Sequence, residues 1–380
     1  MHANTAASPV QVPGALIAPR QAPASTRGLL HWIRSELLSS PLNASITAII
    51  VAVLLWQLPG LMSWSMWHSV LRPDADACQA ARGLGACWGV VSEKYRLILF
   101  GRYPHAEQWR PLVATLGLLT LLVASCRRQC WHRGLVLAWL LGLCAFFGLM
   151  GGRLLGFSVG LTPVPTDQWG GFPLTLMLAT LSIACAFPLA VLVALGRRSE
   201  WPIVRAVCVT YIELVRGVPL ISVLFMASFM FPLLMPPGTT PDVLLRVLTG
   251  ITLFSAAYLA EIVRGGLQAI PRGQLEAASS LGLGYWATQR LVVLPQALAH
   301  VVPGIMNNFI AIFKDTSLVT IVSLYELSGA LGLALNGDPL WRPFKIEGYL
   351  FITLIYFAFC FAMSRYSLWV EHRLQRSQAR

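Results

Sequence analysis

Charge is what this chain has least of. Acidic and basic residues make up 12% of its 380 positions, against about a quarter in soluble globular domains. Too few hydrated groups remain to cover a water-facing globule, which excludes a soluble enzyme or binding domain. Acids are scarcer than bases, 16 against 28, for a formal net charge of +12. The bases form no run and are joined by no base-stacking motif, so nucleic acid is excluded as a partner. Residues 1–40 lack the short apolar core and small-residue cleavage site of a secretory signal; rich in Ala, Pro, Ser and Gln, they read as a disordered cytoplasmic tail over 1–43. No Gly-rich loop ends in Lys-Ser or Lys-Thr, so this chain does not hydrolyse ATP by that route. Cys126, Cys130 and His132 lack the fourth ligand and the usual spacing of a zinc site, and no metal is expected.

What the chain has is apolar sequence, 56% of its residues. Runs lie at about Ala44 to Trp67, Trp109 to Cys126, Gly134 to Met150, Phe172 to Leu195, Val218 to Met235, Val243 to Val263, Val301 to Leu324 and Glu347 to Met363. Most approach the roughly 20 helical residues needed to cross about 30 Å of hydrocarbon. The expected fold is an all-α polytopic membrane protein with about eight transmembrane helices. With the amino terminus inside, 17 of the 28 basic residues fall on inner segments, as positive-inside topology requires. Both termini are then cytoplasmic. The exception is the outer loop 68–110, which holds six basic residues. The chain so divides into the tail, an extension over 44–169 with three spans, a five-span domain over 170–371, and an inner tail over 372–380.

Cys78 and Cys87 lie nine apart in that outer loop. If the loop faces an oxidising compartment, the readings are a disulfide or two free surface thiols. The other cysteines read as small buried hydrophobes. Gly156-Phe157-Ser158-Val159-Gly160 has the spacing of a hydrolase nucleophile elbow but lacks the strand such an elbow follows. Gly148, Gly152, Gly156 and Gly160 recur every fourth residue, which on a helix lines up small residues for close packing. Glu261 and Arg264 are spaced to pair along one helical face.

The chain is organised around 271–297, PRGQLEAASSLGLGYWATQRLVVLPQA. Pro271 suits a helix start, Leu275 to Leu281 are mostly helix formers, Gly282 and Gly284 suit a turn, and a second helix should run from Tyr285 until Pro295 interrupts it. Ala277 and Ala278 leave room for a partner, and Glu276 offers a carboxylate that an arginine could grip. Glu276-Ala277-Ala278, three residues, Gly282, nine residues, Val292, one residue, then Leu294-Pro295 resembles the cytoplasmic coupling motif of ABC importer permeases, with Val292 where Ile is usual. The resemblance extends over about 170–371, where Tyr211 to Pro219 and Lys314 to Leu318 resemble motifs of the polar amino-acid importers. Phe100 to Pro104 and Gln108 to Pro111 resemble the extension of general L-amino-acid permeases, M-type subunit.

That resemblance implies a permease subunit of an ATP-driven amino-acid importer in the bacterial inner membrane, with no covalent catalysis of its own and no bound cofactor. ATP and Mg would be handled by two partner ATPases docked on Glu276, Ala277, Ala278, Gly282, Leu294 and Pro295. A second, homologous permease subunit and a periplasmic amino-acid-binding protein would complete the machine within the membrane lipid. Lys314 and Asp315 fall inside an apolar run, where each charge costs about 3 kcal/mol unless it faces protein or water. Adjacent helical residues point about 100° apart, so either the helix breaks there or each finds another partner. Asn307, Asn308, Lys314, Asp315 and Ser317 are expected to line or brace the pathway; the alternative is that Lys314 and Asp315 only tie helices together. The competing function is a stand-alone secondary transporter, which inverted repeats and several buried acids would favour.

Overall fold

The computed structural model describes residues 28–154, 157–158 and 160–378 and divides into two units, residues 1–68 and 69–380. In the first, the tail expected over 1–43 lies outside the described residues up to position 27, and Leu29–Leu37 is helical. Helix α1 (Pro41–Met62) starts where the Ser40 side chain accepts a hydrogen bond from the Asn43 amide and proline occupies the first turn. It is apolar all round and none of its residues is buried, as a span facing lipid or another chain should be.

The second unit begins with α2 (Ala75–Ala80) and α3 (Gly89–Phe100), short helices of the loop between crossings, followed by α4 (Trp109–Cys126) and α5 (Arg133–Gly151). The expected four-glycine helical stripe does not form. Helix α5 stops at Gly151, Gly152 takes φ +68°, and strands β1 (Arg153–Leu154) and β2 (Phe157–Ser158) pair antiparallel. A left-handed glycine satisfies the helix end and turns the chain away, so the four glycines never share a face. Gly156, part of the nucleophile-elbow reading, lies outside the described residues.

The five-span domain follows as α6 (Gly171–Arg197), α7 (Pro202–Arg216), α8 (Leu220–Phe225, extended by a π turn to Leu233), α9 (Val243–Gln268), α10 (Arg272–Ser280), α11 (Tyr285–Thr288), α12 (Leu294–Asp315), α13 (Leu327–Asn336) and α14 (Lys345–Gln378). Among the described residues seven helices are long and apolar enough to cross a membrane, and the pair α7 and α8, bent 105°, raises the number to eight if it contributes one crossing. The all-α polytopic fold and the crossing count agree with the sequence.

Two boundaries differ. Pro295 does not end a helix: a π turn over Gln289–Val293 leads into α12, with the Leu294 amide donating to Gln289 O, so proline's missing N–H falls where the ladder changes register. The helical stretch that carries the seventh crossing therefore runs over Tyr285–Val322. The expected inner tail over 372–380 is helical as far as Gln378.

Close packing through small residues occurs, but on α6. Ala186, Ala190 and Ala194, fully buried, share a core with Ala256, Leu259, Ala260 and Val263 of α9. A second core joins Ala114 and Leu118 of α4 and Phe146 and Met150 of α5 to Leu174, Met177, Val247, Ile251 and Phe313, so the extension helices α4 and α5 share the domain's interior. A third seats Cys78, Cys87, Val90 and Ile98 of the segment 69–104 on Leu327, Leu331 and Phe344. None of the six remaining cysteines is buried in this chain, contrary to expectation. The outward face of a membrane bundle is as apolar as its core, so composition does not separate the two.

Candidate functional site

Helix α10 is capped by Pro271, which has no N–H to leave unpaired. It ends where Gly282 adopts φ +72°. The Leu283 amide donates to Ala278 O at 3.1 Å and the Gly282 amide to Ser279 O at 2.9 Å, the paired bonds of a helix end that requires left-handed backbone. Gly284 caps α11. Helix, glycine turn and helix thus follow as the residues imply.

The resulting knob is anchored on one side and open on the other. Ala278 is buried, whereas Glu276, Ala277, Gly282 and Pro295 are exposed and Leu294 is partly buried. Leu281 and Trp286 are 79% and 70% exposed, an apolar surface that water does not favour. Gln296 Nε2 donates to Gln274 Oε1 at 3.1 Å, tying the knob to α12.

At the same end of the bundle lies a cluster of ions the sequence showed only in part. Glu261 and Arg264 pair, with Arg264 Nε 2.9 Å from both carboxylate oxygens. Arg197 also reaches Glu261 at 3.1 Å and Glu213 at 3.3 Å, so α6, α7 and α9 are joined. The spacing of 261 and 264 reveals the local pair; Arg197 and Glu213 are distant in sequence and carry no signal.

The polar residues of α12 lie toward its other end, about 30 Å from Pro295 at 1.5 Å per residue. Helix α12 ends at Asp315 and a 3-10 turn covers Thr316–Val322, so of the two arrangements open to Lys314 and Asp315 the helix break is present. Among the described residues neither forms an ion pair. Asn307 and Lys314, seven apart, are both exposed, while Asn308, Asp315 and Ser317 are partly buried. The Asn308 Oδ1 is buried without a hydrogen-bond partner. These five residues share a segment but make no mutual hydrogen bond in this chain.

Just beyond it is a residue that sequence reasoning missed. Glu326 is fully buried and caps α13, accepting from the Ser328 and Gly329 amides at 2.9 Å each, from Tyr356 Oη at 2.7 Å and from Thr175 Oγ1 at 3.3 Å. A lone acid in the apolar run 318–335 was the available signal. The extension has a matching device. Arg110, fully buried, donates to Leu149 O at 2.6 Å and Thr162 O at 2.9 Å, and Tyr103 Oη donates to Met150 O at 2.9 Å. Carbonyls of the last turn of α5 are thereby satisfied. Burial pushes the Tyr103 hydroxyl up to about 12, keeping it a donor. Arg102 donates to Asp167 O at 2.5 Å and lies over the Tyr325 ring. In the segment 69–104, Cys78 and Cys87 have Cα atoms 5.4 Å apart, a separation a disulfide can span. The Cys87 amide donates to Glu347 Oε1 at 2.9 Å, and Lys94 pairs with Asp338 at 2.8 Å.

The second unit, apolar crossings packed on one another with an exposed helix-turn-helix knob between two of them, fits a membrane transport subunit. Residues 186–376 match the family model described as "Binding-protein-dependent transport system inner membrane component". The chain is 46% identical over 363 residues, 93% of its length and 95% of the relative's, to the inner membrane amino-acid ABC transporter permease protein YhdY of Escherichia coli. It is 37% identical, over 95% of its length and 97% of the relative's, to the glutamate/glutamine/aspartate/asparagine transport system permease protein BztC of Rhodobacter capsulatus. A solved amino acid ABC transporter chain matches 53% of this chain and 92% of its own at 28% identity, with a TM-score of 0.47. The chain belongs to the binding-protein-dependent transport system inner membrane component family. It is a multi-pass inner-membrane permease subunit of an ABC importer, whose ATP is hydrolysed by separate partner subunits. The secondary-transporter reading is thereby set aside.

Proposed function

We propose that this subunit imports polar or general L-amino acids, delivered by a periplasmic binding protein, and that it works with two ATPases and a second, homologous permease. Relatives named for amino-acid transport that align over more than nine-tenths of the chain support the substrate class. The knob at 271–297 is the face worked by the ATPases, with ATP and Mg held in those subunits. One observation carries this assignment: Glu276 and Ala277 are exposed on a helix whose register is fixed by Gly282 and by buried Ala278. ATP can drive the switch only through contacts that differ between its two states, and this surface is shaped to make them. In this reading both termini and the knob are cytoplasmic, 68–110 is periplasmic, and Cys78–Cys87 is a disulfide there. Asn307, Asn308, Lys314, Asp315 and Ser317 line or brace the pathway. The tail 1–43, the extension 44–169 and the permease domain 170–371 are its functional divisions.

The test is uptake by the reconstituted complex. Glu276→Lys and Gly282→Leu should insert and assemble normally yet lose uptake by tenfold or more, while vanadate stops the unmodified complex. Normal uptake in both variants would refute the coupling role of the knob.

A further inference from the structure

Helix α7 is 15 residues long and is set at 105° to the crossing that follows it. Where that crossing runs across the bilayer, α7 lies close to the plane of its surface. At about 100° per residue, Val204, Cys208, Tyr211, Ile212 and Val215 share one side of it. Its C-terminal half is anchored, with Ile212 fully buried and Tyr211 packed in the core formed by α6 and α9, while Val204 is exposed. Ile203, Val207 and Leu214 fall on a neighbouring stripe about 40° wide, and they are 78%, 64% and 64% exposed. Trp201, just ahead of the helix, is 74% exposed. Arg205, Glu213 and Arg216 occupy the remaining exposed arc.

A helix with half its apolar arc against protein and half bare needs a second apolar neighbour, and three features identify it. Beyond the bend, Val218 in the turn and Ile221 and Phe225 on α8 are also exposed, so bare apolar side chains persist from α7 into the crossing. A tryptophan at one end and arginines on the polar arc are the arrangement of helices lying at a bilayer boundary. Arg205 is exposed and, among the described residues, forms no ion pair, leaving its guanidinium to meet a lipid phosphate.

We infer that α7 is an interfacial helix that seats Ile203, Val207 and Leu214 at the boundary of headgroups and acyl chains, with Arg205 paired to the headgroup of an anionic lipid. Because Arg197 ties Glu213 of α7 to Glu261 of α9, and α9 leads directly into the knob, the lipid seat and the knob share one ion cluster. Which leaflet is occupied rests on the orientation proposed above; the seat itself does not.

The test is photo-cross-linking from p-benzoylphenylalanine placed at Ile203 and, separately, at Leu214. The complete complex is held in vesicles of equal phosphatidylglycerol and phosphatidylcholine. Adducts at both positions should be lipid, with phosphatidylglycerol in excess, and Arg205→Gln should cut that excess about fivefold. Adducts to the partner permease or an ATPase would overturn the proposal. Equal labelling of the two lipids before and after Arg205→Gln would overturn the headgroup pairing. Normal uptake in the Glu276→Lys and Gly282→Leu variants together with intact lipid adducts would leave this inference standing while the coupling role failed.

Discussion

Arg110 has no exposed surface, and a buried guanidinium is tolerated only where its donors are used. Two of its nitrogens meet the Leu149 and Thr162 carbonyls, and Glu107 lies 3.7 Å away; Nη2 has no partner. Arg110→Met keeps the apolar stem but leaves both carbonyls without that donor, a loss of about 2–4 kcal/mol. Thermal unfolding of the purified protein should show a midpoint several degrees lower, and an unchanged midpoint would sink the capping role. Asp338 offers a pH test at the same scale. The Lys94 ammonium beside it holds its carboxyl below the usual range. A carboxyl lowered on folding contributes stability above about pH 4, the unfolded value, and loses it as pH falls through its lowered value. Both side chains are partly exposed, so the effect is small. Limited proteolysis of 69–100 should quicken as pH drops below about 4, and Asp338→Asn should remove that dependence.

Among the elements, the segment of α2 and α3 is held by what it docks on. Its cysteines are fully buried against α13 and α14. If they are bonded, as proposed, Cys78→Ala with Cys87→Ala should cost about 2–3 kcal/mol of local stability. Hydrogen exchange should then rise over 70–100 and stay unchanged in α6 and α9. Equal exchange in the two proteins would mean the docking contacts suffice. The same scale shows what could be read from sequence. The knob was legible because proline, helix formers and glycine each constrain the backbone locally. Helix α5 ended early because Gly152 is equally at home in a helix stripe and in a left-handed cap, and spacing alone does not choose. The π turn before Pro295 was hidden because a register slip changes which carbonyl is used, not which residues are apolar. Helix α7 merged with the motif that ends it, since a helix lying flat and one crossing use similar residues, and the 105° turn at 217–219 is set by packing.

For the whole molecule, if the segment near Asp315 serves the pathway and the knob near Glu276 the ATPases, as proposed, the two must respond together across about 30 Å of α12. Lys314 is the informative side chain, being exposed on the same face as Asn307. A charge on an apolar crossing persists where it meets water or a partner's polar groups, and within this chain it has no ion-pair partner among the described residues. The two remaining roles, contacting the pathway or joining subunits, predict different losses for Lys314→Met, which keeps the stem and removes the ammonium. If Lys314 serves the pathway, the complex should purify with its partners in normal proportion while uptake falls tenfold or more. If it joins subunits, the partners should be lost in proportion to uptake. Full uptake with a full set of partners would remove Lys314 from both roles and shift the search along α12 to Asn308, whose Oδ1 is buried and unpaired.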